Sequence, residues 1–334
     1  MEQPIMQAPK VPSEMRASVL LVMIICLLSC SGKNEKTQVY ETEQIESPTA
    51  VLKQNDEKLP PPESGEWLAS HKERGQTFKE YTFSHPPAIS ESQNTIYLQP
   101  IGTFDSLQTN MINYTRDYLE IFFGVKTTIL KTISDKGIPD TARRIGGADQ
   151  EQLLAPYIMS EILKKNMPED AICMMAITEK DIYPEFSWNF VFGLSSFKDK
   201  IGVTSLFRFS DQQVTRPDDQ LFLERLIKVS SHEIGHLFGL KHCINAICSM
   251  NGTNSLGETD IKPNRLCSEC AGKICWNLKL DPLQRTKKLV DFFVKHKMEY
   301  DLGKISPDLN VLDKVSETPT VLKPQGSFSR NDRK

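Results

Sequence analysis

The sequence predicts an α/β domain with a mixed sheet, and three observations carry that prediction. Between residues 94 and 239, β-branched and apolar runs alternate with runs of helical period, in the order β-α-β-α-β-β-β-α. No self-similarity recurs at a period of 20–50 residues, which argues against a solenoid or propeller. Both ends of the chain are polar, and 39% apolar residues over 334 is low enough that some segments should stay outside a packed core.

The elements follow in order. "NTIYLQPIG" (94–102) is β-branched and aromatic and ends in Pro-Ile-Gly, which predicts a strand. "SLQTNMINYTRDYLEIFFG" (106–124) has apolar residues at helical spacing and a closing glycine. "VKTTILKTI" (125–133) is a strand, and "DQEQLLAPYIMSEILKKN" (149–166) a helix kinked at Pro156. "AICMMAITEKDIY" (171–183) begins as a buried strand. "NFVFGLSS" (189–196) and "IGVTSLFRF" (201–209) are two more strands joined by the turn "FKDK". "PDDQLFLERLIKVSSHEIGHLFG" (217–239) is a long helix. Pro217 and Asp218 start it, and Leu221, Leu226, Val229 and Leu237 supply its apolar packing.

The flanks read differently. Ala17 to Leu28 is an apolar run of twelve, too short for a mature membrane span and of signal-peptide length. It ends in "LLSC", which resembles the lipobox of bacterial lipoproteins and would make Cys30 the lipid-bearing first residue; a plain short anchor or a cleaved signal without lipid is the other reading. Met15 makes the better start, because "MRASV" supplies the short positive segment such leaders carry. The expected organisation is a leader over 1–30, a disordered polar tether over 31–80, a folded domain over 81–300, and a polar tail over 301–334.

The chemistry concentrates in "HEIGHLFGLKHCINAICSM". His232 and His236 are four apart on a helix, so both rings share one face and can share one ion. Gly239 can take positive φ and end the helix sharply, and the returning chain brings up His242. Three neutral imidazoles plus water make an open tetrahedral zinc site. Glu233, next to His232, can face the water position and act as general base in peptide-bond hydrolysis. A chance "HExxHxxGxxH" in a chain with six histidines has odds of about one in a hundred thousand.

Four cysteines follow: Cys243, Cys248, and the pair Cys267 and Cys270 of "CSEC". Two close pairs eighteen residues apart suit a structural four-cysteine zinc site, and two disulfides are the other reading. Cys173 falls in an apolar strand as a buried thiol, and Cys275 as a packed one. Asp181 and Glu258 are candidates for carboxylates that hydrogen-bond a ligating histidine. His71, His85 and His296 are read as surface or packing residues.

From His232 to Cys270 the pattern HExxHxxGxxHC, four residues, Cys-x-Met-Asn, and a final Cys-x-x-Cys resembles the archaemetzincin signature. "YLQPIG", "DIYPEFSWNFVFG" and "VTSLFRF" resemble the family's N-terminal half, so the likeness spans about Thr95 to Val294. It implies a metzincin-like α/β catalytic domain with a twisted mixed sheet, an active-site helix and a C-terminal four-cysteine zinc subregion. It also implies two zinc ions. His232, His236 and His242 would hold the catalytic one with Glu233 as base; Cys243, Cys248, Cys267 and Cys270 would hold the structural one. Met250 would be the Met-turn residue beneath the catalytic metal. Residues 189–196 are the candidate for an edge strand that pairs with extended substrate, a core strand with no free edge being the other reading, and aminopeptidase-like activity is the usual expectation.

The charge balance, 40 basic against 43 acidic side chains, gives no general pull toward nucleic acid. A zinc-ribbon nucleic-acid binder around Trp276 is the weaker rival, and an inert two-zinc peptide-binding module the stronger one. The expected partners are a peptide or protein substrate and, through Cys30, the membrane of a bacterial cell envelope; the expected state is a monomer.

Overall fold

A computed structural model describes residues 46–209 and 219–317. Its core is a five-stranded sheet ordered β2-β1-β5-β8-β7. The strands are β1 (Thr95–Ile101), β2 (Lys126–Ile129), β5 (Ala171–Thr178), β7 (Gly193–Ser196) and β8 (Ile201–Ser205). The first four in that order are parallel, while β7 runs antiparallel to β8 and forms one edge. The sheet is therefore mixed, as the alternation of elements predicts.

Strand β5 is buried along its whole length, because both faces are covered, and so it reads as an unbroken apolar run. Cys173, Met175 and Ile177 face one core with the helices α3 (Ser106–Phe123) and α5 (Asp219–Leu237). Met174 and Ala176 face the other, with Ile158, Met159 and Leu163. Helix α3 begins in a reciprocal capping box between Asp105 and Gln108 and ends at Gly124, whose φ of 61° is left-handed. Pro217 and Asp218, the predicted start of α5, lie outside the described residues.

The predicted helix over 149–166 is only half right. Glu151–Leu154 is a strand, β4, in a small second sheet with β3 (Arg143–Ile145) and β6 (Asp181–Tyr183). Helical backbone starts only at α4 (Ala155–Tyr157), where Pro156 occupies the first turn and kinks nothing, and passes into a π-helical stretch, Ile158–Leu163. The buried amide of Gln152 donates to the Asp181 carboxylate at 2.7 Å, tying β4 to β6.

The tether assignment also needs correction from residue 46 onward; residues 31–45 lie outside the described residues. Short helices α1 (Trp67–Ser70) and α2 (Phe78–Phe83) lie on the domain. Thr49 donates to the Ser268 carbonyl at 2.7 Å, and Asp56 accepts from the Ser268 backbone while pairing with Arg265. Tyr81 is fully buried and donates to the Phe238 carbonyl at 2.8 Å. The segment is polar because its anchors are hydrogen bonds, so composition alone mistakes it for a solvated linker.

The polar tail is corrected in the same way over 301–317; residues 318–334 lie outside the described residues. Helices α6 (Leu256–Asp260), α7 (Ser268–Leu278) and α8 (Pro282–Lys295) lead into α9 (Glu299–Glu317). Asp301 and Asp308 are buried: Asp301 accepts from Asn264, and Asp308 pairs with Arg265 at 2.6 Å. Among the described residues no helix is long and apolar enough to cross a membrane.

Candidate active site

Helix α5 presents His232 and His236 from successive turns, with ring centroids 4.6 Å apart. The helix stops at Gly239, whose φ of 86° reverses the chain. His242 then arrives with its ring 5.2 Å from that of His232 and 4.9 Å from that of His236. One ring nitrogen from each of the three lies within 4.8 Å of the others.

The backbone sets the tautomers. His232 Nδ1 donates to the Ser249 carbonyl at 2.8 Å, and His236 Nδ1 to the Leu240 carbonyl at 2.7 Å. A carbonyl can only accept, so the proton sits on Nδ1 and the lone pair on Nε2. The two Nε2 atoms face each other at 3.0 Å, lone pair toward lone pair, an arrangement that a shared cation satisfies. Burial holds His232 well below the usual imidazole range, with the two neighbouring imidazoles adding to it. Burial first, then His242, brings His236 down to about 4. Both are neutral near pH 7, the form that binds metal.

His242 Nδ1 meets Glu73 Oε1 at 2.7 Å. Sequence reasoning missed Glu73, because it lies in the segment assigned to the tether, 169 residues away. Its neighbour Trp67 donates from Nε1 to the same oxygen at 2.9 Å and stacks on His71, centroids 3.7 Å apart. Gly252 makes room for this indole, since a Cβ there would lie 2.5 Å from Trp67 Cδ1. Asp181 and Glu258, the carboxylates proposed for this role, do other work. Asp181 binds Arg208, Gln150 and Gln152, and Glu258 accepts from the backbone of Trp67 and Asn254.

Glu233 stands on the same helix beside the histidines and opposite β7. Burial pushes its carboxyl up to about 7, against a hydrogen bond with Ser195 that lowers it. Gly193 on β7 leaves it space: a Cβ there would come within 2.6 Å of Glu233 Cγ. Met250 is fully buried beside helix α5, and a side chain at Gly235 would strike its sulfur at 2.7 Å. Glu233 and the three histidines line an open cleft of about 900 Å³, walled by β7, residues 184–192 and Trp67.

Next to it, Cys243, Cys248, Cys267 and Cys270 converge with their sulfurs within 4.8 Å of one another, all buried. No disulfide joins any of the six described cysteines, and Cys243 and Cys267 Sγ are 3.6 Å apart against about 2.05 Å for a disulfide. Backbone N–H groups of Met250 and Cys267 point at Cys248 Sγ, at 3.5 and 3.3 Å. Hydrogen bonds from the other three thiols hold Cys243 far below the usual thiol range. Burial holds Cys248 far above it, and the hydrogen bond with Cys243 does the same for Cys270. Four converging thiols are the donor set of a structural zinc site, where a central cation would favour the thiolate form of each. Cys173 and Cys275 lie apart from this cluster; burial pushes the Cys173 thiol up to about 12 and raises that of Cys275.

The sequence profile of Peptidase family M54 matches residues 151–275, the stretch that holds Glu233, all three histidines and all four cysteines. Archaemetzincin-2 of Rattus norvegicus is 32% identical over 257 residues, covering 67% of this chain and 71% of its own. The archaemetzincin of Thermococcus kodakarensis is 41% identical over 111 residues, 33% of this chain and 59% of its own. Among solved structures, the archaemetzincin of Archaeoglobus fulgidus complexed with malonate is 30% identical, with a TM-score of 0.43 over 54% of this chain and 99% of its own. With a relative that similar over two thirds of both chains, the protein belongs to the archaemetzincin family of metallopeptidases.

Proposed function

We propose that this chain hydrolyses peptide bonds with a catalytic zinc held by His232, His236 and His242, and carries a second, structural zinc held by Cys243, Cys248, Cys267 and Cys270. The carrying observation is the convergence of three imidazoles beside a buried carboxylate in an open cleft. When bound, the catalytic zinc lowers the pKa of the attacking water and polarises the substrate carbonyl. Glu233 takes that water's proton on a carboxylate oxygen and returns it to the departing amine. Met250 forms the apolar floor. Among the described residues the outer edge of β7 has no strand partner, so it can accept extended substrate as an added strand, which would lay a scissile bond across the cleft. An inert peptide-binding module would have no use for a carboxylate that Gly193 makes room for.

The test is a mixed peptide library with free and blocked N-termini, incubated with zinc-loaded protein and read by mass spectrometry. Cleavage is expected, with preference for short peptides bearing a free N-terminus. A zinc-loaded chain that cuts nothing in the library rejects the enzyme reading.

Glu73 is proposed to orient His242 toward the metal. Glu73→Ala is expected to raise the dissociation constant of the catalytic zinc by about 10- to 100-fold, measured by competition with a chelator. Unchanged affinity would mean that Glu73 serves only the packing of Trp67.

We also propose an exported monomer anchored to a bacterial envelope membrane by lipid on Cys30. The support is the apolar run at 17–28 followed by "LLSC". Feeding cells a radiolabelled fatty acid should tag the wild-type chain but not Cys30→Ser; an untagged wild type would refute the anchor.

A further inference from the structure

We propose that one end of the cleft binds a substrate carboxylate between Lys228 and Lys262, a specificity site that rests on the peptidase reading of the same cleft. Lys228 precedes His232 by one helical turn on α5, so it shares the face of the histidines about 6 Å along the axis. It is 5% exposed, and its Nζ donates to the Thr259 carbonyl at 3.0 Å. The backbone N–H of Lys262 donates to that same carbonyl at 3.1 Å. Both lysines therefore meet at one turn, and both line the cleft.

The charge of Lys262 is not answered there. An ammonium offers three donors, and Lys228 spends one of them on a neutral carbonyl. Lys262 is 7% exposed, and its ammonium has no hydrogen bond or ion pair among the described residues. Asp301, Asp260 and Glu224 lie near enough to favour the charged form of Lys228, while Glu258 is taken by two backbone amides, so it is Lys262 that the fold leaves without an anion. Lysines are almost never buried this deeply unless paired, because a buried cation without an anion is costly. The missing anion is one the cleft receives.

In a peptide that anion is a carboxylate, either of an Asp or Glu side chain or of the C-terminus. The 6 Å offset equals about two residues of extended chain, so the carboxylate lies within about two residues of the cut bond. Nothing about this pair was visible in the sequence, where Lys228 is one more polar position on an amphipathic helix.

The experiment uses the zinc-loaded chain and two peptide series. One compares free with amidated C-termini on otherwise neutral peptides; the other blocks both termini and compares Glu with Gln at each position. Wild type should favour the carboxylate form in at least one series by about 10- to 100-fold in kcat/KM, mainly through KM. The series that responds names the source. Lys262→Met should abolish the preference while cutting neutral peptides like wild type, and should fold normally, since no partner in the fold loses a contact with its ammonium. No preference in wild type, or a preference that survives in Lys262→Met, overturns the proposal. Calorimetry on zinc-loaded Glu233→Gln separates the two readings. If wild type cuts nothing, tighter binding of the acid form that disappears on adding Lys262→Met keeps the carboxylate site and rejects the peptidase.

Discussion

Glu233→Ala is expected to remove nearly all hydrolysis, about 100- to 10,000-fold in kcat, while zinc content stays at the wild-type value. The carboxylate is 8% exposed and is not one of the converging ligand atoms, so its loss leaves the three imidazoles in place. Its environment suits a base: burial lifts the carboxyl to about 7, where it can accept a proton and give it back. Activity should therefore rise with pH as Glu233 ionises, and the positive charge of a bound metal should shift that rise to lower pH. His236→Ala should behave differently, losing about one zinc per chain together with activity. Zinc analysis beside the rate measurement separates the two variants, and a Glu233→Ala protein as active as wild type would remove the general base from the account.

Cys267→Ser is expected to lower metal content by about one per chain and to destabilise the fold. Cys267 is fully buried, its sulfur faces that of Cys243, and its own backbone N–H supports Cys248. A serine hydroxyl is a poorer zinc ligand than a thiolate, and structural zinc contributes folding free energy directly. Removing one partner from a buried charged cluster costs about 3–5 kcal/mol, or roughly 10 °C in Tm for a domain of this size. Atomic absorption and thermal unfolding read the two effects together. Full metal content and an unchanged midpoint in Cys267→Ser would leave the cysteines as mere packing.

The histidine cluster was legible because its geometry is local: two residues four apart on a helix, a glycine that ends it, and a third histidine three further on. The sheet was legible for the same reason, since the burial of β5 is written in its own eight residues. What was missed is held from far away. Trp67 bonds Glu258 across 191 residues and Glu73 bonds His242 across 169, so neither leaves a periodic trace in its own segment. The tail looked polar because Asp301 and Asp308 are, and only the fold supplies Asn264 and Arg265 to bury them. Residues 151–154 carry too few positions for period to separate strand from helix, and their pairing with β6 decides it. Which strand lies free at the edge is likewise a property of the whole sheet, and β7 takes that place only because β8 is claimed on its other side by β5.

The central claim is that three histidines and four cysteines hold two separate zinc ions, the first of them beside Glu233. Diffraction from crystals of the zinc-loaded chain, collected on both sides of the zinc absorption edge, tests it most directly. The account predicts two anomalous peaks per chain, one shared by His232, His236 and His242 and one amid Cys243, Cys248, Cys267 and Cys270. No peak at the histidines, or disulfide density joining the cysteines in place of the second peak, would contradict it.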